Sequence, residues 1–353
     1  MIKVTIILMF LFSATLWGLA VSEVITDVTG PYAIVLDTAN SRLYCANRDS
    51  SDVTIIDIAT DNVITRLPIG PSPRAMLLNS VTGEVYCAFD TNKIAIIKDT
   101  SIIDEIMVGF FPWAFAYDPT FDRVYVANAG LEEDTHNTVS VIDGSTHQVI
   151  ATITVGMRPS NLLTHSSINK VYCTNWDDST VSVIDKQTLN VIKTIKVGAH
   201  PYAMLFFPFS GELWVCNYHS NNIFVVDVST DNMIDSISTG YEPCALVWDT
   251  NNDKVYCANN TSGTITVIDR SSRAVISTIE VGKAPVALIY VPTDNKIYCA
   301  NRAGNSISVI DCSTDNVIET ISTGESPRSM VWSVSLQKLY VANYGSNQIM
   351  VLQ

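Results

Sequence analysis

Residues 285–311 read Pro285-Val-Ala-Leu-Ile-Tyr-Val-Pro-Thr-Asp-Asn-Lys-Ile-Tyr298-Cys-Ala-Asn301-Arg-Ala-Gly-Asn-Ser-Ile-Ser-Val-Ile-Asp311. Three short β-branched stretches stand in this run: one after Pro285, one ending at Asn301 and one ending at Asp311. Turn residues separate them, and Val317-Ile-Glu-Thr-Ile321 supplies a fourth stretch. Segments of about five residues with period-two alternation and Asn, Asp or Gly between them predict antiparallel strands. Helical periodicity of useful length occurs nowhere in the chain.

The same unit repeats along the sequence. Tyr298-Cys-Ala-Asn301 is matched by Tyr44–Asn47, Tyr86–Phe89, Tyr125–Asn128, Tyr172–Asn175, Trp214–Asn217, Tyr256–Asn259 and Tyr340–Asn343. Most of these are 42 residues apart; the second interval is 39 and the third 47. A proline stands thirteen residues before every aromatic, from Pro31 through Pro327. A lone four-stranded unit cannot bury both faces, so its copies must stack, and radial stacking gives an all-β propeller. The chain ends on Ile349–Leu352, a third strand with no fourth after it. Val24–Val28 near the N-terminus resembles the missing strand and is expected to complete the last blade, removing the open edge. The expectation is eight blades; seven blades and a stray repeat is the alternative.

The tetrapeptides, with their Val-Ile-Asp and Val-Gly companions, resemble the YVTN-repeat propellers of archaeal surface-layer proteins and related bacterial periplasmic proteins. The resemblance spans about residues 23–353. It departs from the family where Cys replaces Val and where Phe89 replaces Asn. It implies the propeller fold and an extracytoplasmic setting but no single function, because similar propellers serve as adhesins, binding modules and enzyme scaffolds.

Bulk composition agrees. Of 353 residues, 47% are hydrophobic and 16% charged, enough for a core and contrary to disorder. The net charge of -14 argues against non-specific attraction to nucleic acid. Residues 1–20 have one charge (Lys3), an apolar run from Val4 to Phe12 and the small residues Gly18 and Ala20, the pattern of a secretory signal peptide. An uncleaved anchor is the alternative. Residues 21–353 then form one mature, extracytoplasmic domain (secreted, periplasmic or cell-surface) with no remaining membrane anchor. Eight cysteines would suggest disulfides. Yet Cys45, Cys87, Cys173, Cys257 and Cys299 share one slot, filled by Val126, Val215 and Val341 elsewhere, so they read as small buried hydrophobes on separate sheets.

Repeated polar residues read as scaffold. Asp57, Asp99, Asp143, Asp185, Asp227, Asp269 and Asp311 end third strands and are expected to accept backbone N–H groups of the following turn. The tetrapeptide Asn suits a left-handed or turn-bonding role, the Tyr suits inter-blade packing, and the recurring Gly, such as Gly109 and Gly282, suits turns.

Function is sought where the copies differ. Strand order places the residue after each proline and the residue after each tetrapeptide around one mouth of the central channel. Together these circles contain Arg48, Arg74, Arg302 and Arg328, four of the chain's ten arginines. They also contain six aromatics: Tyr32, Trp113, Trp176, Tyr202, Tyr218 and Tyr344, with Arg158, His200, Phe110 and Phe111 beside them. Arginine with aromatics is the mix of binding hot spots and of sites for carboxylate, phosphate or sugar groups. The insertion Ala129–Asn137 carries Glu132, Glu133, Asp134 and His136 on the same side. His200 and His219 should meet there near Asp177, Asp178 and Glu242, which makes the two histidines candidate metal ligands. Signatures of hydrolases, zinc proteases, haem attachment and nucleotide binding are absent. The sequence therefore points to a monomeric, non-enzymatic binding or scaffold propeller without a cofactor. Its expected partner is a cell-envelope protein, a glycan or a small anion; the rival is an enzyme or electron-transfer scaffold holding a metal or small acid at the mouth.

Overall fold

The structure, a computed structural model, describes residues 19–130 and 137–353. The insertion's Glu132, Glu133, Asp134 and His136, and the expected signal segment up to Gly18, lie outside the described residues. Among the described residues no helix is long and apolar enough to cross a membrane.

Eight four-stranded antiparallel sheets form eight blades. Blade 7 shows the common pattern: strands Pro285–Val291, Lys296–Asn301, Ser306–Asp311 and Asn316–Ser322. Burial explains why the second and third strands read as apolar. Leu43 through Ala46 and Val53 through Ile56 are enclosed by blades on both sides, whereas fourth strands such as Val63–Pro68 alternate between exposed and half-buried positions. The hydrophobic core is accordingly a set of clusters between adjacent blades; one of them joins Leu43 and Ile56 of blade 1 to Tyr340 and Ile349 of blade 8.

Ring closure follows the expectation with a shifted boundary. The N-terminal strand is Val21–Ile25 and pairs antiparallel with Gln348–Leu352 in blade 8. Ala20 and Gln353 exchange two further backbone hydrogen bonds at 3.0 Å.

A polar clamp ties blades together. Lys170 and Tyr172 of blade 4 grip Asp231 of blade 5, at 2.6 and 2.7 Å. Lys254 and Tyr256 hold Asp315 in the same way, and Lys338 and Tyr340 of blade 8 hold Asp61 of blade 1, sealing the ring. At two seams the acid sits on the second strand instead: Glu212 pairs with Arg273, and Glu84 lies 3.2 Å from the His147 ring nitrogen. The repeated Tyr thus packs between blades, as expected, and the hydroxyls of Tyr44, Tyr172, Tyr256 and Tyr340 reach the neighbouring blade.

Three scaffold expectations need correction. Asp57, Asp143, Asp185, Asp227, Asp269 and Asp311 accept turn N–H groups, for example from Thr60 at 2.9 Å, but Asp99 does not. Blade 2 is short, its third strand ends at Lys98, and Asp99 occupies a tight turn at φ 55°. The tetrapeptide Asn is not left-handed. In Asn128, Asn175, Asn259 and Asn301 the buried amide donates to two hydroxyls on the third strand, from Asn301 to Ser306 and Ser308 at 3.1 and 3.0 Å. The matching glycines have ordinary φ; a Cβ on Gly282 would stand 2.6 Å from the Asn301 side chain, and on Gly109 2.7 Å from Asn128, so close packing on the Asn excludes a side chain there.

All eight cysteines are buried and free. Burial pushes the thiols of Cys45, Cys87, Cys173 and Cys299 upward in pKa, away from thiolate. Cys216, one position out of phase, turns to the other sheet face, and its Sγ lies 3.9 Å from Cys257 of the next blade.

Candidate functional site

Each blade delivers its innermost strand to the channel with a proline at the entrance, and the backbone before that proline is unusual. Gly30, Ser72, Phe111, Arg158, His200, Glu242, Ala284 and Ser326 all have positive φ, from 51° to 65°. A left-handed residue costs about 1–3 kcal/mol when it is not glycine, and a following proline restricts it further. Repetition in eight blades makes it a property of the fold, and in blade 4 it brings Arg158 into the cavity lining. The sequence reading placed Phe111, Arg158 and His200 near the mouth without finding this third circle; its signal was the variable residue before an invariant proline.

The mouth opens on a cavity of about 450 Å³. Arg74, Trp113, Arg158, Trp176, Tyr202, Tyr218, Arg302 and Arg328 of the expected set line it. Arg48 and Tyr344 stand behind, both against Tyr32: the Arg48 guanidinium lies 5.1 Å from the Tyr32 ring centroid, and the Tyr344 ring meets it edge-on at 6.0 Å. Tyr32 itself lines the cavity and carries the Arg328 guanidinium over its ring at 3.9 Å, with a hydrogen bond from Nη2 to the Tyr32 hydroxyl.

The four lining arginines are not equivalent. Arg74, with its side chain 8% exposed, pairs with Asp90 and lies 4.6 Å over Trp113. Burial lowers its pKa, and the Asp90 carboxylate opposes that shift. Arg158 is exposed and 3.8 Å from Asp177. Arg302 and Arg328 have no carboxylate within ion-pair distance among the described residues. Among the described residues no acidic side chain lines the cavity, although the protein carries a net charge of -14.

Across the ring from Arg302 and Arg328, which belong to blades 7 and 8, blades 4 and 5 present an aromatic wall. Trp176 stacks on His200 at 4.7 Å and 6°, meets Tyr202 edge-on at 5.7 Å and leans on Tyr218 at 5.3 Å. Burial raises the Tyr202 pKa, and burial together with a 2.8 Å bond to Glu242 raises that of Tyr218. Both are neutral phenols at physiological pH.

His200 and His219 do meet, Nδ1 to Nδ1, with ring centroids 4.2 Å apart. The carboxylates nearby are engaged elsewhere: Asp178 accepts the Met157 N–H at 2.5 Å, and Glu242 holds Tyr218 and Thr261. Among the described residues no group of three or more His, Cys, Asp or Glu is placed to hold a metal ion. Burial and the neighbouring His219 lower the His200 pKa, favouring a neutral imidazole.

Fold and mouth together define an eight-bladed propeller with a cationic, aromatic cavity at one end of its channel. The YNCE-like beta-propeller family model matches residues 117–298, and the chain belongs to that family. No curated protein matches it. Among solved structures it is similar to the computationally designed Ika8 protein, at 15% identity and TM-score 0.77, covering 93% of this chain and 98% of that one. It is also similar to hydrazine synthase of Kuenenia stuttgartiensis, at 18% identity and TM-score 0.61, covering 93% and 96%. The dihydro-heme d1 dehydrogenase NirN is similar at 12% identity and TM-score 0.78, covering 93% of this chain and 75% of NirN. At these identities the likeness concerns the fold.

Proposed function

We propose that this propeller is an extracytoplasmic binding protein whose channel mouth captures a small anionic ligand, without catalysing its conversion. One observation carries the reading: among the described residues, a cavity of about 450 Å³ is lined by four arginines and no carboxylate in a strongly acidic protein. Two unpaired guanidiniums in a partly desolvated pocket cost free energy that an anion would recover through charge-assisted hydrogen bonds. The cavity lies within the range of small-molecule sites, about 300–1,000 Å³, and favours a small ligand over a protein or glycan surface. The N-terminal leader pattern and the resemblance of the repeats to YVTN propellers support the extracytoplasmic setting.

The enzymatic or electron-transfer alternative rests on the His200–His219 pair. Two similar structures are named as a synthase and a dehydrogenase, but fold-level likeness transfers no chemistry. Calorimetric titration with phosphate, sulfate, acetate and succinate tests the proposal. Saturable binding that the Arg302→Met, Arg328→Met double variant loses supports it; no saturable binding of any anion overturns it.

A further inference from the structure

Resting on the anion-binding reading, the geometry points to a narrower ligand class, an oxyanion carried on a planar ring, which we propose as what the cavity accepts. The argument is the asymmetry of the mouth. The residues before the prolines are small in four consecutive blades, 7, 8, 1 and 2: Ala284, Ser326, Gly30 and Ser72. In the other four they are large: Phe111, Arg158, His200 and Glu242. The unpaired Arg302 and Arg328 belong to blades 7 and 8, where small entrance residues leave the approach to the guanidiniums least obstructed. The large residues crown the blades that supply Trp113, Trp176, Tyr202 and Tyr218.

The two halves ask for different chemistry. Arg328 is held by Tyr32 beneath it, which fixes the guanidinium plane and leaves its remaining N–H donors for a bidentate oxyanion. Across the channel, His200 covers one face of Trp176 at 4.7 Å, and the edge-on contact with Tyr202 fixes the indole orientation. A rigid aromatic wall of this kind favours a flat, partly apolar group by stacking or edge contacts. A bare oxyanion would occupy the arginine side and leave most of the roughly 450 Å³ cavity to water. A neutral ring would leave Arg302 and Arg328 uncompensated. Only a ligand with both parts satisfies both halves.

The experiment titrates the intact mature protein with phenyl phosphate, inorganic phosphate, benzoate, acetate and benzyl alcohol, reading heat and tryptophan fluorescence. Expected is at least about tenfold tighter binding of phenyl phosphate than phosphate, and of benzoate than acetate, equivalent to about 1.4 kcal/mol or more, with no saturable binding of benzyl alcohol. Arg302→Met with Arg328→Met should weaken both ring-bearing anions. Trp176→Ala should collapse the ratio between ring-bearing and ringless anions, and Tyr218→Leu should lower it by a smaller factor. Equal affinity for phosphate and phenyl phosphate would overturn the ring requirement and leave the anion site standing. Tight benzyl alcohol binding would also overturn it, and loss of all binding would defeat both readings.

Discussion

Replacing Asp61 by Asn removes the negative charge from the clamp that seals the ring while keeping a side chain able to hold the left-handed turn, where Asp61 has φ 58°. In the native protein Asp61 accepts from Lys338 at 2.6 Å and from Tyr340 at 2.8 Å, with Lys338 and Asp61 side chains only 10% and 11% exposed. The substitution leaves the ammonium with the Ile58 carbonyl at 3.3 Å and turns an amide donor toward one of two donors. Breaking such a pair from one side costs about 3–5 kcal/mol when burial is complete. The residual carbonyl bond and slight exposure place this case near about 3 kcal/mol. At roughly 2 °C per kcal/mol for a domain of this size, the thermal midpoint should fall by about 6 °C. Asp27→Asn is the control: its pair with Arg66 is 3.4 Å long and 66% exposed on the carboxylate side, worth at most about 1 kcal/mol. Adding Lys338→Met to Asp61→Asn should restore more than half of the loss. Calorimetric melting of the four proteins checks this. A shift for Asp61→Asn no larger than that for Asp27→Asn would refute the reasoning that the clamp holds the ring.

Gly282→Ala should destabilise by about 1–3 kcal/mol, because the new Cβ meets the Asn301 side chain at 2.6 Å; chemical denaturation beside Gly211→Ala, which meets only a Val228 methyl at 3.7 Å but has φ 65°, separates packing from backbone strain. Hydrogen bonds from Ser145 and Thr146 hold Asp143 at about 2, and those from Ser272 and Ser271 hold Asp269 at about 2, below their ordinary 3.8. These carboxylates therefore contribute stability that is full above the ordinary value and lost as pH falls toward 2. The thermal midpoint should drop across that window, less steeply in an Asp143→Asn, Asp269→Asn variant. His200 should titrate below the ordinary histidine value in an NMR pH series, and His219→Asn should move it upward by removing the second largest cause of the shift.

The repeat made the architecture legible because each copy independently signals the same strands, and eight aligned prolines fix the phase where a single copy would be ambiguous. Asp99 shows the limit. Its Asp-Thr pair resembles the other caps, yet the short blade 2 moves the strand end to Lys98, and a one-residue slip cannot be seen without the pairing partner Glu84. The Asn and Gly roles were misread for a related cause: Gly282 touches Asn301 across a turn, a contact that composition does not encode. At the mouth, strand order alone placed the arginines and aromatics on one rim. It could not show that Asp90 neutralises Arg74 while Arg302 and Arg328 stay unpaired, because those pairings depend on side-chain direction between blades. Nor could it show that Tyr32, one of the aromatics placed on the rim, is the anchor of Arg328.

The most direct test of the central claim is a crystal of the mature protein soaked in selenate and measured at the selenium edge. The account predicts an anomalous peak inside the cavity, contacted by the Arg302 and Arg328 guanidiniums and absent from the Arg302→Met, Arg328→Met crystal. Selenate found only at exposed lysines, with the cavity holding ordered water alone, would contradict it.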